Sequence, residues 1–326
     1  QFHVSGASLA GIPGCMIGHN DHIAWGITLA FTDCEDIFIE RVDPADSTQY
    51  QHKDGFSKFK TFEEQINVKK SDPITITVKY AQHGPVIGEA IGHQNHLISL
   101  CSMSLLPNRL VEGFLSICTS ENWDDFSKAI HLIEAPQLNV IYADIKGNIG
   151  HRITGLVPIR NQGTGEIPCN GWSGEFDWID AIPSEKMPFT FNPISGLAIS
   201  TNNKPIGDDY PYYLGNSFMN GYRAKRITEL LNRVGKIDGD YCESIMSDVE
   251  SVPGRILVEG LIRQFKSSRP KSQKLIEVLL SWDFQLTTDS IGGTAYEVFL
   301  YHCLKNLLEP KLGTDLTHRY LGKGEV

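Results

Sequence analysis

The sequence predicts an α+β fold, because strand-like segments fill its first part and helix-like segments fill its last hundred residues. Residues 11–92 contain short β-branched and apolar runs separated by turn-forming clusters. Beyond Tyr222, apolar residues recur every three or four positions, as on one face of a helix. The character of the chain changes between about residues 220 and 240. We therefore divide it into a strand-rich part with long loops, residues 1–234, and a mostly helical region, residues 235–326.

Local patterns define the elements of the first part. Strands are predicted at Ile37–Ile39 and Ile74–Val78, and a hairpin is predicted over residues 138–157, with its turn at Asp144–Asn148. A helix is predicted directly after Asn122, a residue type that caps helices. Its apolar positions fall at helical spacing: Trp123, Phe126, Ile130 and Ile133.

The later segments differ in composition. Residues 160–220 are rich in Gly, Pro and Asn, which predicts long ordered loops of the kind that often carry functional residues. Helical spacing returns around Ile227–Val234 and Leu275–Trp282.

The length and composition of the chain exclude two kinds of partner. A chain of 326 residues can bury a large core, and 41% hydrophobic with 21% charged residues is typical of a globular protein. No apolar run reaches the roughly 18 residues that a membrane-spanning helix needs, so we predict no membrane span. The 29 basic and 39 acidic residues give a net charge of −10, without a basic cluster. Nucleic acid, whose phosphates must be neutralised, is therefore not expected as a partner.

Three carboxylates crowd into four residues at Asp33, Glu35 and Asp36, where a strand begins. Such crowding is repulsive unless a cation or an arginine neutralises it. Dense oxygen ligands suit Ca²⁺, with Asp33 and Asp36 binding through their side chains and a carbonyl between them. The segment lacks the spacing and the sixth-position glycine of an EF-hand. Calcium binding and a solvated acidic turn both remain open from the residues alone.

Two further segments have both a catalytic and a structural interpretation. The first, Gly11–Gly26, is either part of a catalytic site or a strand entry with tight turns, and its His19 is either a catalytic base or a satisfied core histidine. The second contains Asn202 and Asn203. An asparagine amide can donate to a developing oxyanion without any change of protonation, but paired asparagines are also frequent in turns. The residue types alone favour the structural interpretation of both.

Arg223 and Arg226 lie three residues apart, hence on one face, at the start of a predicted helix. Cations at this end oppose the helix dipole, which indicates acidic partners such as a substrate carboxylate, Asp208 or Asp209. An ordinary surface salt bridge is the alternative.

In combination and in order, these segments resemble the nucleophile-bearing chain of the penicillin amidase (penicillin acylase) family of N-terminal nucleophile hydrolases. The resemblance spans most of residues 6–230 and implies part of an αββα sandwich with a mostly helical C-terminal part. Its motifs are Gly11-Ile12-Pro13-Gly14, Gly18-His19-Asn20, Ala24-Trp25-Gly26, Asp33 with Asp36-Ile37, Tyr142-Ala143-Asp144, Gly147-Asn148-Ile149-Gly150, Gly171-Trp172, Asp177-Trp178, Asn192-Pro193 with Gly196, Asn202-Asn203, and Tyr222-Arg223 with Arg226.

The resemblance also implies hydrolysis of an N-acyl amide and a role for several residues. An amino-terminal serine, released by self-cleavage, is the nucleophile, and its own α-amino group is the general base. Asn202 and the backbone N–H of Leu29 take the two oxyanion-hole positions. Arg226 matches an arginine close to the amino-terminal site, and Phe31 matches an aromatic residue of the acyl pocket.

A structural Ca²⁺ is implied as well, because Asp33, Glu35 through its carbonyl, and Asp36 match the calcium loop of the family. Leu214 stands where some relatives have another acidic ligand, which weakens this expectation. The expected partners are a small-molecule N-acyl amide substrate and a companion α chain from the same precursor.

The sequence departs from the family pattern at both ends. Gln1 is not a nucleophile, and Ser5 and Ser8 are internal and cannot supply a free α-amine. We therefore expect the catalytic serine to precede the sequence and the segment alone to be inactive. The glycine-serine-rich segment late in the family's chain is not found, so we expect the carboxyl-terminal end to be cut too.

Three questions stay open from the sequence. A non-catalytic, calcium-stabilised homologue that acts as a binding or scaffold module is the main alternative. A metal hydrolase using Asp33, Asp36 and histidines is less well supported, because no H-x-x-x-H spacing exists. Relatives are commonly exported, which favours a periplasmic or secreted location, whereas seven cysteines without evident pairing fit a reducing, cytoplasmic interior.

Overall fold

A computed structural model describes residues 3–92 and 96–322 and confirms the predicted α+β class. The chain divides into two compact units, Gln1–Asn220 and Gly221–Val326. The division lies at the edge of the window in which the sequence changes character. The helix that begins at Tyr222 therefore belongs to the second unit. The division made from the sequence, after residue 234, places that helix in the first part.

Strands are the main regular elements in the described part of the first unit. They are β1 to β16 in chain order: Ser5–Ala7, Ile17–His19, Ile23–Leu29, Glu35–Glu40, Gln49–His52, Gly55–Lys58, Lys60–Ile66, Ile74–Ala81, Gly84–Pro85, Leu97–Ser102, Leu138–Asp144, Ile149–Ile153, Pro158–Arg160, Cys169–Asn170, Trp178–Ala181 and Phe189–Phe191. Two α-helices, α1 (Leu110–Cys118) and α2 (Trp123–His131), and a 3-10 helix, Met103–Leu105, lie between β10 and β11.

The largest sheet has six strands in the order β1-β2-β3-β11-β12-β16, and all of its neighbouring strands are antiparallel. β3 and β11 pair along their whole length, from Ile23 opposite Asp144 to Leu29 opposite Leu138. The predicted hairpin is confirmed as β11 and β12, and Gly147 adopts the positive φ that its turn requires. Because β3 is central, its last residue, Leu29, is fixed by the sheet.

One face of this sheet is covered by α1 and α2. Asn122 caps α2 as predicted, since its side chain accepts hydrogen bonds from the amides of Asp124 and Asp125. Phe126 then packs 4.9 Å, between ring centroids, from Tyr142 of β11. The core between helices and sheet is apolar and fully buried, with members including Phe114, Ile117, Phe126, Ile130, Val140 and Tyr142. This packing makes the sheet a rigid base for the loops that leave its strands.

A second, three-stranded sheet has the order β10-β4-β14. The predicted strand at Ile37–Ile39 is confirmed as β4 (Glu35–Glu40). Its buried residues alternate: Asp36, Phe38 and Glu40 are buried, while the two isoleucines between them are only partly covered. β4 therefore turns two carboxylates toward the interior.

The rest of the first unit consists of small sheets and loops. β5 pairs with β6, β7 with β8, β8 with β9, and β13 with β15. Residues 160–220 contain only short strands and are otherwise loops, as their composition predicts.

The second unit is helical where it is described. Its helices are α3 (Tyr222–Leu231), α4 (Gly239–Met246), α5 (Val252–Gly260), α6 (Pro270–Leu280) and α7 (Ile291–Leu321), with a 3-10 helix at Ile262–Gln264. α7 is interrupted at Gly313, whose φ is +74°, three residues after Pro310. Trp282 and Tyr296 stack in the hydrophobic core of this second unit. None of the helices in the described ranges is long and apolar enough to cross a membrane.

Candidate active site

Asn202 and Leu29, which are 173 positions apart in sequence, are in contact. The side-chain amide of Asn202 donates a hydrogen bond of 2.9 Å to the carbonyl oxygen of Leu29. Asn202 lies in the loop region after β16 and has a φ of +64°, a left-handed conformation that non-glycine residues seldom adopt. The two residues expected to form an oxyanion hole are therefore neighbours.

The direction of the Leu29 amide follows from the strand register. Leu29 lies opposite Leu138, and the next amide, that of Ala30, donates to the carbonyl of Gln137. Successive amides of an antiparallel strand point to opposite sides, so the N–H of Leu29 points away from β11. On that side the pairing of β2 with β3 ends at Trp25. The Leu29 amide thus faces an edge that β2 does not cover.

A buried hydrogen-bond network from strands β11 and β12 holds the Leu29 carbonyl in place. Asn139 of β11 donates to the Leu29 carbonyl at 3.0 Å and to the Thr28 hydroxyl at 3.2 Å, and that hydroxyl lies 2.6 Å from the hydroxyl of Ser200. His151 of β12 contacts the side-chain oxygen of Asn139 at 2.9 Å. Burial lowers the pKa of His151 to about 4, so the ring is neutral at pH 7 and its Nε2–H donates to Asn139. A polar cavity of about 140 Å³ lies beside this network.

Sequence reasoning did not identify Asn139 or His151. The available signal was an asparagine inside the apolar strand Leu138–Asp144, where a buried polar side chain requires a partner.

Phe31, the residue expected in an acyl pocket, is half-buried and also has a positive φ, +53°. It directly follows Ala30, which is fully buried. Positive φ at a non-glycine residue costs on the order of 1–3 kcal/mol and persists only where the surroundings impose it. Phe31 and Asn202 both carry this strain, and both lie within two residues of Leu29 or in contact with it.

Arg226 lies in the second unit, within α3, and its acidic partners are there too. Its Nε donates to Asp248 at 2.9 Å, and its Nη1 lies 2.8 Å from Glu250. The hydrogen bond to Asp248 raises the pKa of Arg226. Asp208, one of the partners expected from the sequence, pairs with Lys204 within the first unit instead. The acidic pairing is therefore confirmed for Arg226, but its partners were misassigned.

The acidic segment at the start of β4 is neutralised by an arginine. The Arg160 guanidinium donates to both carboxylate oxygens of Asp36, at 2.7 and 2.8 Å, and to Asp33 at 3.1 Å. The indole N–H of Trp178 adds a bond of 2.6 Å to Asp36. Burial raises the pKa of Asp33, and Arg160 opposes that effect. Arg160 therefore neutralises the segment in the way that the sequence allowed for an arginine.

These residues fit a calcium ion poorly. Both oxygens of Asp36 already accept hydrogen bonds from Arg160, whose side chain is 4% exposed. Leu214 offers no side-chain oxygen, and its carbonyl accepts the amide of Asp33. Calcium binding by Asp33, Glu35 and Asp36 is an expectation from the family resemblance alone, these contacts do not favour it, and no step of the function proposed below depends on it.

The glycine-rich segment around His19 has a structural role. Asn20 closes its turn, because its side-chain oxygen accepts the amides of His22 and Ile23, both at 2.8 Å. Its amide group also binds the carbonyls of Cys118 and Ser120 after α1. His19 itself is exposed, with a long contact only to the carbonyl of Asn20. The tight-turn interpretation is the one that these contacts support.

The chain is similar to known acylases over nearly its whole length. The penicillin amidase family model matches residues 1–324. Acyl-homoserine lactone acylase QuiP of Pseudomonas fluorescens is 26% identical over 97% of this chain and 41% of its own length. Penicillin G acylase of Escherichia coli is 30% identical over 86% of this chain and 34% of its own length. The chain therefore spans roughly two fifths or less of these curated relatives.

A similar fold is found among solved structures. The thermostable penicillin G acylase from Alcaligenes faecalis matches 98% of this chain with a TM-score of 0.81, at 22% sequence identity, and the match covers 59% of that chain.

Proposed function

The chain belongs to the penicillin amidase family, and on that basis we propose that the whole protein hydrolyses the amide bond of a small N-acyl compound. The similar proteins named above include a penicillin G acylase and an acyl-homoserine lactone acylase, and the proposal rests on this shared acylase activity. The nucleophile in this proposal is an amino-terminal serine from the part of the protein outside these 326 residues. Its hydroxyl attacks the amide carbonyl, and its α-amine accepts the proton.

Asn202 and Leu29 stabilise the tetrahedral intermediate in this mechanism. The negative charge develops on the former carbonyl oxygen, which accepts hydrogen bonds from the Asn202 amide and from the backbone N–H of Leu29. The contact of 2.9 Å between Asn202 and the Leu29 carbonyl is the observation that carries the proposal, because it brings the two donors together. Neither donor changes protonation during the reaction.

The hydrogen-bond network of Asn139 and His151 positions one of these donors, the N–H of Leu29. Asn139 binds the Leu29 carbonyl, and His151 holds Asn139 in the orientation that allows it to donate. A fixed peptide keeps its N–H aimed at the oxyanion, so no reorganisation is needed when the charge forms. Asn139 and His151 are thus positioning residues rather than groups that touch the substrate.

Phe31 and Arg226 have supporting roles in the proposal. Phe31 contributes an aromatic side chain to the pocket for the acyl group, and its strained backbone fixes the direction of that side chain. Arg226, whose side chain is held by Asp248 and Glu250, matches the arginine that the family keeps close to its amino-terminal serine. A companion α chain from the same precursor completes the substrate pocket.

Replacing Asn202 in the whole protein tests the oxyanion role. We expect Asn202→Ala to lower kcat on a chromogenic N-acyl amide by about 10²- to 10³-fold, with a smaller change in KM. Asn161→Ala is the matched control, because Asn161 is an exposed loop asparagine whose side chain binds the carbonyl of Glu175, away from Leu29. An unchanged kcat in Asn202→Ala, or an equal loss in the control, would refute the assignment.

We further propose that residues 1–326 alone do not turn over such amides, because the nucleophile and base lie elsewhere in the protein. The same assay on this segment decides the point. Appreciable turnover that survives Asn202→Ala would exclude both this proposal and the oxyanion role.

A further inference from the structure

Three potential metal ligands from separate parts of the first unit converge, and none of them lines the cavity beside Asn139 and His151. His52 ends β5, His83 lies in the turn between β8 and β9, and Asp177 precedes β15. Their nitrogen and carboxylate oxygen atoms all lie within 4.8 Å of one another. The Nε2 of His83 is 3.0 Å from Asp177, and the Nε2 of His52 is 3.5 Å from its other oxygen. We infer that His52, His83 and Asp177 form a binding site for a divalent transition metal such as Zn²⁺.

The spacing of these atoms fits a tetrahedral ion. Zinc binds histidine nitrogen and carboxylate oxygen at about 2.0–2.2 Å, which puts neighbouring ligand atoms of a tetrahedron about 3.4 Å apart. The spacing of 3.0 Å from His83 to one oxygen of Asp177 and that of 3.5 Å from His52 to the other oxygen are both close to this value, and one ligand atom from each of the three residues lies within 4.8 Å of the others. Two imidazoles with one carboxylate suit zinc and similar metals, and a water molecule would take the fourth position. Calcium, which takes six to eight oxygen ligands, does not fit this donor set.

A buried carboxylate behind His83 already fixes the orientation of the ring. The Nδ1 of His83 lies 2.8 Å from Glu40, whose side chain is fully buried and also accepts a bond of 2.6 Å from Ser99. The ring of Phe38 stacks on the imidazole at a centroid distance of 3.8 Å. A carboxylate that accepts the second N–H of a metal-bound histidine is the usual outer shell of zinc sites. It leaves the Nε2 of His83 directed at Asp177 and His52.

His52 provides an independent observation that points to a ligand. Its Nε2 is buried but has no hydrogen-bond partner among the described residues, although the atom is close to Asp177. A buried polar atom without a partner is destabilising, and a metal ion would supply the missing partner. Metal binding replaces the His83 proton at Nε2 and releases it to solvent.

Lys53 is the competing cation. Its ammonium lies 3.3 Å from Asp177 on the solvent side, and its side chain is 58% exposed, so it can move away when a metal binds. Its positive charge nevertheless opposes a second cation at Asp177. We therefore expect opposite effects from two neighbouring substitutions: removing His52 should weaken zinc binding, and removing the charge of Lys53 should strengthen it.

Zinc titration of the purified natural protein tests the site, with a chromophoric zinc chelator as competitor. We expect one saturable Zn²⁺ per chain that excess Ca²⁺ does not displace, and Co²⁺ should give the visible absorption of tetrahedral coordination. His52→Ala should weaken zinc binding by about 100-fold or more. Lys53→Gln should strengthen it by up to about fivefold. His52→Ala removes no hydrogen bond of Nε2, so its fold, checked by circular dichroism, should be retained.

His19→Ala is the matched control, because His19 is an exposed histidine of the same unit outside the cluster. Its zinc affinity should equal that of the unmodified protein. Absence of saturable binding, or an affinity that His52→Ala leaves unchanged, would overturn the proposal. Should His52→Ala fail to fold, Asp177→Asn serves in its place, since the amide keeps a hydrogen bond to His83 but loses the anionic ligand. Neither result depends on acylase activity.

Discussion

The ion pair between Arg160 and the acidic segment yields the sharpest stability prediction. Arg160→Gln removes three hydrogen bonds, two to Asp36 and one to Asp33, from a guanidinium whose side chain is 4% exposed. Asp36, itself 3% exposed, then keeps only the bond from Trp178. Leaving one charge of a buried pair without its partner costs about 3–5 kcal/mol. For a unit of this size that loss corresponds to a fall in Tm of roughly 6–20 °C.

Urea unfolding followed by tryptophan fluorescence measures this loss. Arg41→Gln is the control, because Arg41 is exposed, bonds to Gln51 and covers the ring of Trp172 at 3.9 Å, and should lose less than about 1 kcal/mol. Adding Asp36→Asn to Arg160→Gln should restore part of the stability, since no buried charge is then unpaired. A loss below about 1 kcal/mol for Arg160→Gln, or a double variant no more stable than the single one, would refute the reasoning.

Three further predictions concern pH, capping and calcium. Burial lowers the pKa of His151 from its ordinary value of 6.5 to about 4, so between these values the unfolded chain binds a proton that the folded chain does not. The free energy of unfolding should therefore fall by about 2 kcal/mol from pH 7 to pH 5. Urea titrations at the two pH values measure this loss, and His151→Gln should abolish it. Asn122→Ala should destabilise the protein by about 1 kcal/mol, measured in the same way, because two helix amides lose their acceptor; an unchanged midpoint would contradict this. Millimolar Ca²⁺ should shift the Tm by less than about 1 °C, because Arg160 neutralises the acidic segment, and a dose-dependent rise would show the ion to be bound.

The elements of the fold were predictable because their signals are local. The helix after Asn122 needs only a capping residue and the spacing of the following apolar residues, and the hairpin of β11 and β12 needs only two apolar runs around Gly147. The break of α7 at Gly313 was not anticipated, although a proline and a glycine three residues apart are a local signal for it.

The candidate site depended on information that no local pattern contains. Asn202 and Leu29 could be paired only through the family resemblance, since Asn202 by itself is equally typical of a turn. Arg160 was missed as the partner of Asp36, because 124 residues separate them and only the tertiary fold brings them together. His52, His83 and Asp177 show the same limitation, since their side chains come from different sheets or loops.

β4 illustrates why the buried face of a strand is not always its most apolar one. The run Ile37-Phe38-Ile39 places two isoleucines on one face, yet the opposite face, with Phe38 between Asp36 and Glu40, is the buried one. Hydrophobicity alone would choose the isoleucine face. The buried acids become acceptable only because Arg160 and His83 meet them from outside the strand.

The alternation of buried acids along β4 also favours one register of its pairing with β10 over the others. Pairing with β10 sets Cys101 opposite Asp36 and Leu97 opposite Glu40, and a slip of one residue would turn both acids away from the interior together. Arg160 would then lose its buried acid Asp36, and His83 would lose its buried acid Glu40, at two points four residues apart along the strand. A misaligned β4 is therefore penalised twice by charge, while its apolar residues would tolerate the slip, so specificity for the native pairing resides in its acids rather than in its hydrophobic side chains.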